Sequence, residues 1–199
     1  MSAGDRRRLV SSLEDYVRHR EAGSSSKRHV RPVINFARAE LIQQGVPADH
    51  IRLEEVVVDH YFPRRVDIAI KCGAEIDLLL LVVTQSGSIR KNLNNRKREI
   101  VGDAVNLRLA QPKARIGLIY LIRADKEATR RGHAGTSPID ELVVFLSNLQ
   151  LARVGERWPL LDAAALIAAD READGTVRIE RVPAEVDPLG EFFRRIVMH

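Results

Sequence analysis

Two continuously apolar runs most strongly constrain what this chain can fold into: LLLLVV at Leu78–Val83, and RIGLIYLI at 115–122. A strand with one face in water alternates apolar and polar residues, and neither run does so. We therefore expect two strands at the centre of a sheet that helices cover. The segment between them, from SGS to about Ala110, is predicted as a long helix with a buried stripe of Leu93, Ile100, Val101, Ala104 and Leu107.

Turns around these runs predict the topology. Two further strand signals come first, IRLEEVVVD at 51–59 and VDIAIK at 66–71, and CGAE forms a short hairpin before the apolar run that starts at Ile76. Short connections make these three strands antiparallel, whereas the helical crossover makes the third and fourth parallel. With a helix over Val30–Gln44 in front, the core order is α-β-β-β-α-β, an α/β fold with a mixed sheet flanked by helices.

The flanking segments are less regular. Residues 5–20 form an amphipathic helix, and GSSSK follows as a flexible connection, so we assign 1–27 to an N-terminal helix and linker. Residues 28–199 form the main domain, with a core at about 30–125 and an extension at 126–199. In that extension we expect a surface loop, a helix at 138–150, a strand in VRIERV and a closing helix; PLLDAAALIAAD fits helix or strand equally well.

Composition narrows the class of protein. The chain has 32 Lys and Arg against 27 Asp and Glu, a net charge of +5, which makes a polyanion a plausible partner; an arginine-favouring GC-rich genome explains the bias equally well. The single cysteine, Cys72, excludes an internal disulfide or a thiolate metal cluster. We find no apolar run of the roughly 18 residues that a membrane span needs and no secretory signal, and we predict a cytoplasmic protein without membrane contact.

One segment carries a family resemblance. Asp67 opens a strand, and GSIRKNLNNRKREIVGDAVNL opens the crossover helix. This arrangement resembles the PD-(D/E)xK nuclease superfamily, the fold of many restriction endonucleases; the likeness covers about 30–125 and is most specific from Gln85 to Ala104. In that family an aspartate and a carboxylate on the next strand bind a divalent metal, and a lysine acts on water. The resemblance implies DNA as partner, Mg²⁺ as cofactor and, for cutting both strands, a homodimer.

The chain departs from the family at the second half of this motif. If CGAE is the turn, paired residue numbers sum to about 147, so that Asp67 faces Leu80 or Leu81 and the expected acid and lysine fall near Leu81 and Val83. Some members of the superfamily carry glutamine in place of the lysine, which implies Gln85 for that role here. Others carry the second carboxylate on the following helix, which implies Glu99 as the second metal ligand. Glu99 paired with Arg96 on a solvated helix face is the competing interpretation. Glu40, on the second helix, is a further candidate.

The start of the crossover helix is rich in cations and amides. Helix N-termini favour phosphate, and arginine and asparagine bind base edges with two hydrogen bonds. The segment therefore predicts a nucleic-acid contact, although a solvated helix start has the same composition. Its predicted contact residues are Arg90, Lys91, Asn92, Asn94, Asn95 and Arg96, and the loop with Arg123, Lys126, Arg130, Arg131 and His133 could add phosphate contacts.

Three functions fit these residues. The first is a DNA-binding, restriction-endonuclease-like Mg²⁺-dependent phosphodiesterase, in which Asp67 and Glu99 bind the metal and Gln85 orients water. The second is a catalytically inactive pseudonuclease that binds nucleic acid or serves as an assembly subunit, which the missing acid and lysine favour. The third is protein–protein assembly with an incidental basic surface.

Overall fold

The computed structural model describes residues 3–21, 30–58, 63–124, 135–155, 158–173, 176–180 and 189–197. Within them lie five helices: α1 (Ala3–Glu21), α2 (Arg31–Gln43), α3 (Ile89–Ala110), α4 (Pro138–Leu151) and α5 (Leu189–Val197). The strands are β1 (Ile51–Leu53), β2 (Val56–Val57), β3 (Arg64–Arg65), β4 (Ile68–Cys72), β5 (Glu75–Gln85), β6 (Arg115–Arg123), β7 (Arg153–Val154), β8 (Trp158–Pro159), β9 (Ala163–Arg171) and β10 (Val177–Glu180).

The main sheet has six strands in the order β1-β4-β5-β6-β9-β10. β4 and β5 form the predicted antiparallel hairpin, and α3 connects β5 to a parallel β6, as predicted. β9 is also parallel to β6, whereas β10 runs antiparallel to β9. The prediction of a mixed α/β architecture is confirmed at this level.

Both faces of β5 are buried, which explains its continuous apolar run. Leu79 and Leu81 pack in a cluster with side chains of α3 and α4. Leu78, Leu80 and Val82 pack on the opposite face, in a cluster with side chains of α1, α2 and α5. The alternation that marks a half-exposed strand disappears because each face meets a helical layer.

The sheet is larger than the predicted core of about 30–125. The segment that fits helix or strand equally well is strand β9, which lies between β6 and β10. Its alanines favour helix in isolation, and their pairing in the sheet overrides that preference. The closing helix α5 then buries Phe192, Phe193 and Ile196 against the face that α2 also covers.

The N-terminal helix packs on the same face of the sheet. Leu9, Leu13 and Tyr16 are buried in the cluster that contains the apolar side chains of α2. Arg8 donates a hydrogen bond to Glu40 of α2, at 2.9 Å. Glu40 therefore has a structural ion-pair partner on the layer formed by α1 and α2. The predicted linker at GSSSK lies outside the described residues, and the division into two units stays a prediction.

The first predicted strand, 51–59, is two short strands instead of one. Glu54 adopts a left-handed backbone with φ of 54°, which interrupts the extended chain after β1. β2 consequently leaves the main sheet and pairs with β3 in a two-stranded ribbon. This turn brings Arg64 and Arg65 of β3 to the candidate site described below.

A buried arginine fastens the end of α3 to the sheet. Arg108 is only 2% exposed and donates to the carbonyl of Ala114, at 2.6 Å, and to Asp162 Oδ2, also at 2.6 Å. The same Oδ2 accepts a hydrogen bond from the backbone N–H of Ile116 at 2.7 Å. One carboxylate thus holds α3, the start of β6 and the start of β9 together.

In the described part of the chain, none of the helices has the length and apolar character that crossing a bilayer requires.

Candidate nucleic-acid interface

A polar cleft opens where β5 ends and α3 begins. It consists of two adjoining cavities of about 210 and 370 Å³, which share Thr84, Arg96 and Glu99 in their walls. The polar lining of the first adds Arg64, Arg65, Asp67 and Asp103; that of the second adds Gln85, Ser86, Asn92 and Asn95. We call these two cavities the β5–α3 cleft. Ligand sites of open α/β sheets lie at this end of parallel strands.

Asp67 lies in the first cavity and is 8% exposed. Its Oδ2 accepts a hydrogen bond from the backbone N–H of Val82 at 2.7 Å. The pairing of Ile68 with Leu80 places Asp67 level with Leu81, as the hairpin arithmetic predicted. The chain bends at Asp67, so that the side chains of Val66 and Ile68 on either side of it enter opposite clusters.

Glu99 lines the same cavity as Asp67, which the proposed metal pair required. Its Oε2 accepts a hydrogen bond from Arg96 at 2.6 Å. The structure therefore contains the ion pair on the helix face that the competing interpretation describes. Asp103, one turn later on α3, pairs with Arg64 of the ribbon. Among the described residues no group of three or more His, Cys, Asp or Glu side chains is arranged to bind a metal ion. Two carboxylates in the walls of one cavity, Asp67 and Glu99, are the residues that would hold Mg²⁺, and Glu99 would have to exchange Arg96 for the ion.

Gln85 has a well-defined structural environment. The residue is 5% exposed; its Nε2 donates to the carbonyl of Ile89 at 3.0 Å, and its Oε1 accepts from the hydroxyl of Tyr120. The side chain therefore joins the ends of β5 and β6 to the first turn of α3. Both atoms of the amide that would orient water already have protein partners. Leu81 and Val83 occupy the positions of the expected acid and lysine on β5.

Burial raises the pKa of Tyr120; Arg96 lowers that pKa and Glu99 raises it, and the net shift is upward. Because the folded state favours the protonated hydroxyl, protonated Tyr120 stabilises the folded protein. This contribution is fully present below the pKa of tyrosine in the unfolded chain, about 10, and is lost as the pH rises above that value. We expect the free energy of unfolding of the native chain to fall more steeply above pH 10 than that of Tyr120→Phe. Denaturant titrations from pH 8 to pH 11.5 measure this difference; parallel curves would contradict it.

The basic start of α3 is exposed, and part of it lines the cleft. Arg90, Lys91, Asn92, Asn94 and Asn95 are exposed and Arg96 is half-buried, while Ile89 and Leu93 anchor the helix in the core. Asn92, Asn95 and Arg96 line the second cavity. The predicted helix stripe was wrong at Val101, which is 36% exposed, because the helix presents Ile100 and Ala104 to the sheet instead.

The cleft also contains residues that sequence reasoning did not assign to the site. Arg64 and Arg65 belong to the β2–β3 ribbon and line the first cavity, as does Asp103 of α3. The sequence signal was the RR pair beside Asp67, which had no assigned role without the bend at Glu54. Arg123, predicted in the loop after β6, is instead the last residue of that strand and pairs with Asp170. Lys126, Arg130, Arg131 and His133 lie outside the described residues.

Comparison with protein-family models, with curated proteins and with solved structures finds no match to this chain. The relation to the PD-(D/E)xK superfamily therefore remains a proposal that depends on the residues described above.

Proposed function

We propose that this protein is a restriction-endonuclease-like DNA-binding protein that contacts the DNA backbone through the β5–α3 cleft. The observation that carries the proposal is the convergence of two cationic walls on one cleft. The start of α3 contributes Arg96 and exposed amides, and the β2–β3 ribbon contributes Arg64 and Arg65. Arginine binds phosphate with two parallel hydrogen bonds, and the net charge of +5 attracts a polyanion.

The amides give the cleft a second capability. Asn92 and Asn95 line the wider cavity beside Arg96, one helical turn from where α3 begins. Asparagine can bind adenine, and arginine guanine, through paired hydrogen bonds in the major groove of DNA. Phosphate contacts would hold the helix in place while these side chains meet base edges.

Binding without catalysis is the version that we favour. Leu81 and Val83 stand where the family has its acid and lysine, and the Gln85 amide is bound to Tyr120 and Ile89. Glu99 is paired with Arg96. These contacts favour a pseudonuclease that binds DNA over a metal-dependent nuclease.

The double substitution Arg90→Ala/Lys91→Ala should weaken binding to duplex DNA roughly tenfold at low salt, because two cations leave the start of α3. The logarithm of the affinity should also fall less steeply with the logarithm of salt concentration, since fewer counterions are released. Fluorescence anisotropy of a labelled duplex, measured at several salt concentrations, gives both quantities.

Arg194→Ala/Arg195→Ala is the matched control, because it removes the same charge from exposed positions of α5. Equal weakening by both doubles would show that net charge alone attracts DNA. A native chain that binds no DNA would contradict the proposal and favour protein assembly as the role of this surface.

A second candidate is the Mg²⁺-dependent phosphodiesterase. It is favoured by the position of Asp67 and Glu99 in the walls of one cavity. In that case these two carboxylates would bind the ion, which supplies a Lewis acid and an activated water, and the homodimer needed to cut both strands would follow. Addition of Mg²⁺ to the native chain in the anisotropy assay, with products separated by gel, tests it: cleavage by the native chain and none by Asp67→Asn would establish this activity.

A further inference from the structure

Each arginine of the β5–α3 cleft faces a carboxylate of the protein itself. Arg96 pairs with Glu99 at 2.6 Å, and Arg64 pairs with Asp103. Arg65 lies 3.8 Å from Glu54, which also pairs with Arg31 at 3.4 Å. The three arginines that line the cleft are therefore already paired with carboxylates in the protein alone.

The arginines of these pairs are accessible enough to exchange partners: the side chains of Arg64 and Arg65 are 47% and 55% exposed, although that of Asp103 is only 19% exposed. The side chains of Arg96 and Glu99 are 42% and 58% exposed. Ion pairs at such positions contribute little to stability because water competes for both charges. Arg108 differs: its side chain is 2% exposed and its pair with Asp162 belongs to the core. A phosphate can thus replace Glu99 at Arg96 without breaking the fold.

We propose that Glu99, Asp103 and Glu54 are intramolecular competitors for DNA phosphates, and that each cleft arginine exchanges its carboxylate for a phosphate when duplex DNA binds. This inference rests on the proposed function. A single phosphate cannot displace three carboxylates, whereas the closely spaced phosphates of a duplex can do so together. The competitors would therefore select for duplex DNA over isolated phosphate groups.

The exchange predicts an effect opposite to that of a metal-binding role. Glu99→Gln should tighten the binding of duplex DNA in the absence of divalent ions, by roughly threefold to tenfold, because Arg96 no longer has to leave a charged partner. The slope of the salt dependence should stay the same, since Arg96 neutralises one phosphate in both proteins. Free inorganic phosphate at the same ionic strength should compete only weakly with duplex DNA for binding to the native chain.

Glu191→Gln is the matched control. Glu191 accepts a hydrogen bond from Arg194 at 2.7 Å in an i,i+3 pair on α5, with side-chain exposures of 46% and 57%, so it resembles the Glu99–Arg96 pair and changes the net charge equally. The second control is Arg96→Ala. If Glu99 acts through Arg96, Glu99→Gln in the Arg96→Ala background should change affinity no more than Glu191→Gln does.

Anisotropy titrations of the native chain, the three single variants and the double variant decide the matter. Tightening by Glu99→Gln that exceeds that of Glu191→Gln and disappears in the Arg96→Ala background supports the exchange. If the native chain binds DNA and Arg96→Ala weakens it, but Glu99→Gln and Glu191→Gln behave alike, the inference is overturned and the proposed function stands. If no variant binds DNA, both are overturned.

Discussion

Asp162→Ala should lower the free energy of unfolding by about 3 kcal/mol, which we expect to be among the largest effects of a single substitution in this chain. Arg108 would keep its buried position while losing its charged partner, and an uncompensated buried charge costs about 3–5 kcal/mol. The lower part of that range applies because Asp162 itself remains 26% exposed. The backbone N–H of Ile116 loses its acceptor as well. Urea titration measures the change.

Asp170→Ala, on the adjoining strand β9, provides the comparison. Asp170 pairs with Arg123, whose side chain is 52% exposed, so its removal should cost less than about 1 kcal/mol. Asp162→Asn should fall between the two, because an amide oxygen can still accept a hydrogen bond without carrying charge. If Asp162→Ala and Asp170→Ala were equally mild, Arg108 would not depend on its ion pair.

Gly117→Ala should destabilise the protein by about 2 kcal/mol through the packing of α5 on β6. A Cβ at this position would lie 2.0 Å from Cδ1 of Ile196, 3.1 Å from Cζ of Phe192 and 3.2 Å from Cδ1 of Leu80. All three neighbours are fully buried, so they can move only against a packed core. Overpacking of this kind typically costs about 1–3 kcal/mol, and we expect a value near the middle of that range. Thermal or urea unfolding gives the difference.

Ile196→Val tests the cause of that effect, because it removes the atom nearest to the new methyl group. Alone it should destabilise by about 1 kcal/mol through lost burial. Combined with Gly117→Ala it should restore part of the stability, so the double variant should be more stable than Gly117→Ala. Simple additivity of the two losses would show that the clash lies elsewhere.

The central strands could be predicted because their apolar runs allow few alternatives. LLLLVV and RIGLIYLI have no polar face, and the CGAE turn fixes the hairpin. The break after β1 could not be predicted, because Glu54 is not a residue type that signals a left-handed backbone. β9 also escaped prediction, since its alanines suit a helix and only pairing with β6 and β10 makes it a strand.

The candidate site divides in the same way. The meeting of Asp67 with the start of α3 follows from hairpin register and crossover topology, and both are encoded locally. The partners of the side chains are not: Tyr120 lies 35 residues from Gln85, and Asp103 lies 39 residues from Arg64. Such contacts depend on how α3 and the ribbon are rotated about the sheet, which apolar periodicity sets only coarsely.

The shortness of the outer strands has a consequence for how this chain behaves at high concentration. The main sheet ends in β1, of three residues, and β10, of four, whereas its most apolar strands, of nine and eleven residues, lie inside. An exposed edge recruits further chains through its free backbone groups, and a short edge offers few of them. The segments that would be the most prone to form intermolecular β-structure become accessible only when the protein unfolds. Aggregation should therefore follow unfolding rather than precede it.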